Sequence, residues 1–354
     1  MRKLLLGLAV TTLAFTACND DSKNDIKDEQ SKIDMSDFYV YTDADIDETA
    51  RLADANWKGK TCYSMVNLNR LLNENPGLEK TMYDIEYKTR VNIAAKKPSG
   101  VGNGNGNGGG GNDGGGTGGG DNLGAITIPV YFHVVMPDAS VVSDAQINSQ
   151  IAVLNQDFSA SNNDLNPPSE FAGVVADSEI QFTNAGTFRH NDPTSSWGTN
   201  DAVKNAYPPV TPETHLNIWV CNIGGGILGY AQFPGGPAST DGVVLLYSSL
   251  PGGSAAPYNA GRTATHEIGH YLNLRHIWGD GRCNRDDFVA DTPTSDAPNY
   301  GCPSYPTVNC RSNDMTMNYM DYVDDACMYM FTEGQKVRMR AIFLAGGARE
   351  AMIQ

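Results

Sequence analysis

The sequence lacks an apolar run long enough to anchor it across a bilayer: its hydrophobic N-terminal stretch, Leu4–Phe15, falls short of the roughly 20 residues a spanning helix needs. Basic residues are scarce as well. Twenty-five Lys and Arg stand against 41 Asp and Glu, a formal net charge of −16. That balance argues against nucleic acid as a partner, because phosphate backbones are bound through Lys and Arg, and it suits an exported soluble protein that could favour basic substrates. Histidine is rare too, with six in 354 residues. Three of the six nevertheless fall in one short stretch.

That stretch runs TATHEIGHYLNLRHIWGD from Thr263 to Asp280. His266 and His270 stand four apart, so on a helix both rings leave the same face and can hold one ion. Glu267, displaced around the helix from the two rings, suits the role of base towards a water that the ion activates. His276 supplies a third imidazole only if the helix stops before it. Asn273 is the expected turning point, since Asn tolerates the left-handed conformation best after Gly. Three imidazoles leave one tetrahedral position open, which is the arrangement of catalytic rather than structural zinc. His133, His190 and His215 have no metal spacing and read as structural or surface residues.

At these residues the sequence resembles the metzincin metalloproteases, and within them the pappalysin family, in particular its bacterial ulilysin-like members. The resemblance is carried by HEIGHYLNLRHIWGD at His266–Asp280, DFVADTP at Asp287–Pro293 and MNYMDYVDDACMYMFT at Met317–Thr332. Asn273 stands where the family motif has glycine, a substitution compatible with a left-handed turn. The resemblance implies a zinc endopeptidase in which His266, His270 and His276 bind zinc and Glu267 is the general base. It also implies that Met320 forms a floor under the ligands and that Tyr322 donates to the oxyanion. Asp325 would then line the pocket for a basic residue just after the scissile bond, giving cleavage before Arg or Lys. Calcium is expected near Asp287, Asp291 and Thr292, which offer hard oxygen ligands.

Arg2, Lys3, the apolar run and the small residues up to Cys18 form a targeting segment. FTAC resembles the end of a lipoprotein signal, which implies a signal peptide over 1–17 and a lipid on Cys18; an ordinary secretory cleavage nearby is the alternative. Residues 18–46 are polar and acidic and read as a flexible tether. Residues 47–98 turn helical, with Met65, Leu68, Leu71 and Leu72 at helical spacing before Asn75-Pro76-Gly77. The Gly/Asn-rich stretch 99–124 is a flexible linker, and 125–354 is the catalytic domain. Within 47–98, Cys62 resembles the cysteine of bacterial pappalysin pro-segments, which implies that its thiolate takes the fourth zinc position in a latent form. A Cys62–Cys221 disulfide is the other reading. Arg90 and Lys96-Lys97 are the expected cleavage points for activation.

The remaining cysteines, Cys283, Cys302, Cys310 and Cys327, lie in an irregular stretch and allow three pairings. The family resemblance favours Cys283–Cys310 and Cys302–Cys327. Upstream, 125–136, 179–188, 215–223 and 242–250 read as strands. Ser143 can cap an amphipathic helix carrying Ile147, Ile151, Leu154 and Phe158, and Thr332 with Gln335 can form the capping box of a terminal helix. The expected fold is α+β: an α/β-type upper half with a twisted mixed sheet and the zinc helix, an irregular disulfide-stapled lower half closing on a helix, and a small helical pro-segment. Expected partners are protein or peptide substrates, with membrane contact only through the N-terminal lipid and a monomeric, exported, surface-anchored or released state. The competing reading is a catalytically silent adhesion lipoprotein on the same fold; the retained Glu267 argues against it, because ligation alone needs no base.

Overall fold

The structure is a computed structural model that describes residues 33–43, 59, 61–95 and 121–353. The expected signal peptide, Cys18 and Lys96-Lys97 lie outside the described residues, as do most of the tether and linker. The chain divides into two units, Met1–Ser36 and Asp37–Gln354, and the second carries the sheet, the helices and the histidine cluster. No helix among the described residues is long and apolar enough to cross a membrane.

Strands β1 (Ile126–Met136), β2 (Ile180–Asn191), β3 (Leu216–Cys221), β4 (Gly229–Ala231) and β5 (Val243–Leu246) form one sheet in the order β2-β1-β3-β5-β4. The first four strands in that order are parallel and β4 runs antiparallel along the edge. Alternation along the strands builds two cores, because successive side chains leave opposite faces. Leu216, Ile218 and Val220 of β3 enter the main core with Phe132, Phe158 and Ile268. Trp219 and Cys221 enter a second core with Val203, Tyr230 and Val244. Cys221 is a free thiol on that second face, so the structure rules out its pairing with Cys62.

Helix α3 (Asp144–Phe158) begins with a capping box between Ser143 and Gln146 and buries Ile147, Leu154 and Phe158. It packs on β2 and on α5 (Arg262–Tyr271), which also lies against β4 and β5. Helix α4 (Ala202–Ala206) covers part of the second face. Below α5 the chain is mostly loop, tied by disulfides Cys283–Cys310 and Cys302–Cys327 and a short hairpin, β6 (Val308–Asn309) and β7 (Ser312–Asn313). It closes on α6 (Glu333–Ala341), whose Thr332–Gln335 capping box is formed.

The pro-segment forms a helical hairpin, α1 (Ser64–Glu74) and α2 (Leu78–Ala95), joined through Asn75 and Gly77, whose φ of 98° needs glycine. Its own small core of Met65, Leu68, Leu71, Leu72, Leu78 and Met82 is completed by Phe233, just after β4. The hairpin is also pinned by charge. Buried Glu86 accepts from Arg338 Nη1 and Nη2, at 3.1 and 2.6 Å, and from Arg90 Nε at 2.8 Å. Arg90 sits in the body of α2, half-buried and bonded to Asp37 as well, so the expected cleavage there is corrected: a protease needs an extended, accessible backbone that α2 does not offer.

Burial by itself pushes the Glu86 carboxyl up, but Arg338 and then Arg90 outweigh it and bring the group from 4.5 to about 2. Its stabilising contribution is therefore complete above the unfolded value and is lost as pH falls towards about 2. Glu86→Gln should lower Tm at pH 6, leaving Arg338 buried without its anion at a cost of about 3–5 kcal/mol, and should shrink the Tm loss between pH 5 and pH 3. Equal acid sensitivity in both proteins, read by thermal melts, would refute this.

Candidate active site and metal centre

Three imidazoles meet beneath the edge strand. Helix α5 carries His266 and His270, fully buried, on one face. The helix ends at Tyr271, and Asn273, with a φ of 75°, reverses the chain so that His276 returns to the same point. The three Nε2 atoms stand 3.1–3.3 Å apart. Two ligands of one tetrahedral zinc, each about 2.0–2.1 Å from the ion, would lie roughly 3.3–3.4 Å apart.

The outward nitrogens set the protonation. His266 Nδ1 lies 2.7 Å from Tyr319 O and His270 Nδ1 lies 2.9 Å from Leu274 O. A carbonyl only accepts, so both Nδ1 atoms carry the proton and both Nε2 atoms turn lone pairs inward. His276 Nδ1 lies 2.5 Å from Asp280 Oδ1, and its ring stacks on Trp278. Convergent lone pairs repel one another unless a cation joins them. The donor set therefore fits zinc, with the carbonyls and Asp280 orienting the rings.

Cys62 completes the group: its sulfur and the three histidines offer ligand atoms within 4.8 Å of one another, and all four residues are buried. This is the one such group of His, Cys, Asp or Glu among the described residues. Burial and then the Glu267 charge push the Cys62 thiol well above its ordinary value, so a ligating thiolate there needs the cation. The segment arrives as an added strand. Cys62 bridges Gly229 in parallel, Leu228 N donates to Thr61 O at 3.0 Å, and Tyr63 N donates to Gly229 O at 3.0 Å.

Glu267 reaches past Gly229, where a Cβ would come within 2.9 Å of Glu267 Cγ and 3.0 Å of Val244 O, so only glycine lets β4 approach this closely. Ser64 Oγ donates to Glu267 Oε2 at 2.6 Å, and Cys62 Sγ lies 3.4 Å from the same oxygen. Tyr322 is buried beside His266 and His276, its hydroxyl donating to Cys62 O at 3.3 Å. Met320 lies under the zinc helix, where a Cβ on Gly269 would collide with its sulfur. Asp325 is buried at the start of α5 and accepts from Ala260 N at 2.8 Å and from Arg262 N at 3.3 Å.

Of the suggested calcium residues, Thr292 donates to Asp287 at 2.9 Å, while Asp291 turns to other donors. Asp291 accepts from Thr332 Oγ1 and Gly334 N, whereas Asp287 faces Thr292 and Val289 N. Ser64, Asp280 and the carbonyls of Tyr319 and Leu274 were not singled out from sequence. The His276–Asp280 spacing of four was the available signal for Asp280, and the Leu274 carbonyl is equally local to His270; Ser64 and the Tyr319 carbonyl depend on contacts far along the chain. His133 and His215 stack on Trp219 and Tyr131, and His190 lies tilted against Tyr207.

Fold and site together define a zinc metalloendopeptidase. Residues 202–344 match the peptidase family described as Pregnancy-associated plasma protein-A. Extracellular metalloprotease 1 of Coccidioides posadasii is 35% identical over 230 residues, 62% of this chain and 77% of that one. An extracellular metalloprotease of Sordaria macrospora is 36% identical over 233 residues, 62% and 75% of the respective chains. Among solved structures, mature mirolysin of Tannerella forsythia with a cleaved peptide is 42% identical, covering 65% of this chain and 96% of that one with a TM-score of 0.60. A promirolysin mutant of the same organism is 36% identical, covering 83% and 97% with a TM-score of 0.68. The chain belongs to the pappalysin family of metalloproteases.

Removing the carboxylate that orients His276 should loosen the metal while leaving the fold intact. Asp280→Ala is expected to weaken zinc binding by about 10–100-fold, measured by chelator competition. Wild-type affinity would show that Asp280 does not hold the ring.

Proposed function

We infer that the protein is exported as a latent zinc endopeptidase, with Cys62 holding the fourth zinc position until the pro-segment is removed. The convergence of Cys62 on His266, His270 and His276 carries this reading. Two findings support it: its relatives are named extracellular metalloproteases, and the match lengthens from 65% to 83% of this chain when the solved relative is a pro-form.

Zinc, when bound, supplies the Lewis acidity that brings a water's pKa towards neutrality. Glu267 takes the proton of the attacking water and returns it to the leaving amine. Once Cys62 O has withdrawn, the Tyr322 hydroxyl is released to donate to the developing oxyanion. Asp325 selects Arg or Lys just after the scissile bond; its carboxylate is fixed by backbone N–H groups at the head of α5. Cleavage that frees the enzyme falls after α2, between Lys96 and the end of the linker at residue 124.

Calcium belongs to the same proposal through Asp287. Burial and then the neighbouring Asp286 push this carboxyl well above its usual range, so its ionised form at neutral pH calls for a cation.

Peptide-library digestion by the matured enzyme tests the whole reading. Wild type should cut before Arg and Lys, Glu267→Ala should lose at least about 100-fold in rate, and Asp325→Ala should lose the basic preference while still cutting. A calcium-selective chelator should lower activity with zinc retained. Turnover surviving in Glu267→Ala would sink the mechanism, and an unchanged cleavage pattern in Asp325→Ala would sink the specificity.

A further inference from the structure

Ser64 is fully buried at the first turn of α1, yet its side chain is not spent on that helix: the N-cap is Tyr63, and no side chain caps the helix. The hydroxyl is instead held at both ends. Ala231 N donates to Ser64 Oγ at 2.7 Å, and Ser64 Oγ lies 2.6 Å from Glu267 Oε2. The amide is already the donor in the first contact, so the single hydroxyl proton points at the carboxylate. Hydrogen bonds of this kind, neutral hydroxyl to ionised carboxylate, are among the stronger ones in proteins.

Neighbouring contacts fix the geometry. Asn67 Nδ2 donates to Ala231 O at 3.1 Å, so Ser64 and Asn67 grip both backbone groups of the same edge residue. Ser64 N donates to Cys62 Sγ at 3.4 Å, which ties the serine to the thiol. Two requirements of the reaction, an open metal position and a free carboxylate, are therefore blocked by two different side chains of the pro-segment. Cys62 stands at the metal position; Ser64 stands on Glu267 Oε2, the oxygen that lies 3.4 Å from the Cys62 sulfur and so faces that position.

We propose that Ser64 is a second, independent latch of the zymogen, which silences Glu267 by occupying its proton-accepting oxygen even when the Cys62 thiol is removed. The inference rests on the latent-protease reading above. It implies that thiol loss alone does not activate the chain, and that full activity needs withdrawal of residues 61–64 from β4.

The test compares peptide turnover by the full-length, uncleaved chain in four forms: wild type, Cys62→Ala, Ser64→Ala and the double variant, with chain integrity followed by mass spectrometry. Cys62→Ala is expected to stay below about a tenth of the matured enzyme's rate, and the double variant to exceed it by at least about tenfold, the worth of one hydrogen bond to a charged group. Mature-level turnover in Cys62→Ala, or a double variant no faster than Cys62→Ala, overturns the latch and leaves the latent-protease reading standing. A matured enzyme with no zinc-dependent turnover overturns that reading and the latch with it. Maleimide labelling of Cys62, read by peptide mapping, separates masking from anchoring. Slow labelling in Ser64→Ala shows that the segment is still docked and supports the latch; rapid labelling shows that Ser64 merely anchors the strand and refutes it.

Discussion

Three ring nitrogens turned towards one point, with their opposite nitrogens committed outward, form the constraint on which the rest of the structure depends. Protonated Nδ1 atoms on His266 and His270 follow from the carbonyls of Tyr319 and Leu274. The inward Nε2 lone pairs then have no stable arrangement without a cation. Meeting that geometry dictates the local backbone. Helix α5 must stop at Tyr271, Asn273 must adopt φ 75°, and the loop bearing His276 must be held under the helix, where Ile277 N donates to Met320 O at 3.4 Å. The turn at Tyr319-Met320 serves the centre from two sides: Tyr319 orients one ring through its carbonyl, while Met320 fills the space below Gly269.

The edge strand is the second organising feature. A free sheet edge invites another chain to pair with it, and here Thr61–Tyr63 accept the invitation along Gly229. The same pairing delivers Cys62 to the metal centre and Ser64 to Glu267, and it engages the Tyr322 hydroxyl. The hairpin behind this strand is held by its apolar contact with Phe233 and by the buried Glu86–Arg338 pair. Apolar burial gives the docking its strength; the ion pair and the hydrogen bonds give it one register.

Much of the site was legible because its signals are local. The spacing of His266, Glu267 and His270 is a helical property, and the αL turn at Asn273 follows from requiring His276 to come back. Capping at Ser143 and Thr332 is equally local, and both boxes formed. The four longer strands were readable from their β-branched runs. Strand β4 was not, since three residues beginning with glycine carry no period, and only pairing with Val243–Leu245 makes them a strand. Arg90 misled for the opposite reason. A basic residue near a linker reads as accessible, and only the fold reveals that α2 extends past it and that Asp37 and Glu86 enclose it.

By itself the sequence determined which residues can ligate a metal and which can move a proton, because ligand chemistry and helical spacing are written into consecutive positions. It also determined that a helical segment with a cysteine precedes the catalytic part. Tertiary structure alone decided what those groups face from a distance: the Tyr319 carbonyl behind His266, Gly229 against Glu267, Ser64 on Glu267, and Cys221 on the far side of the sheet from Cys62. The physical reason is range. Spacing along a chain fixes the direction of a side chain within one element, whereas the partner at the other end of a hydrogen bond is fixed by packing between segments as far apart as Ser64 and Glu267.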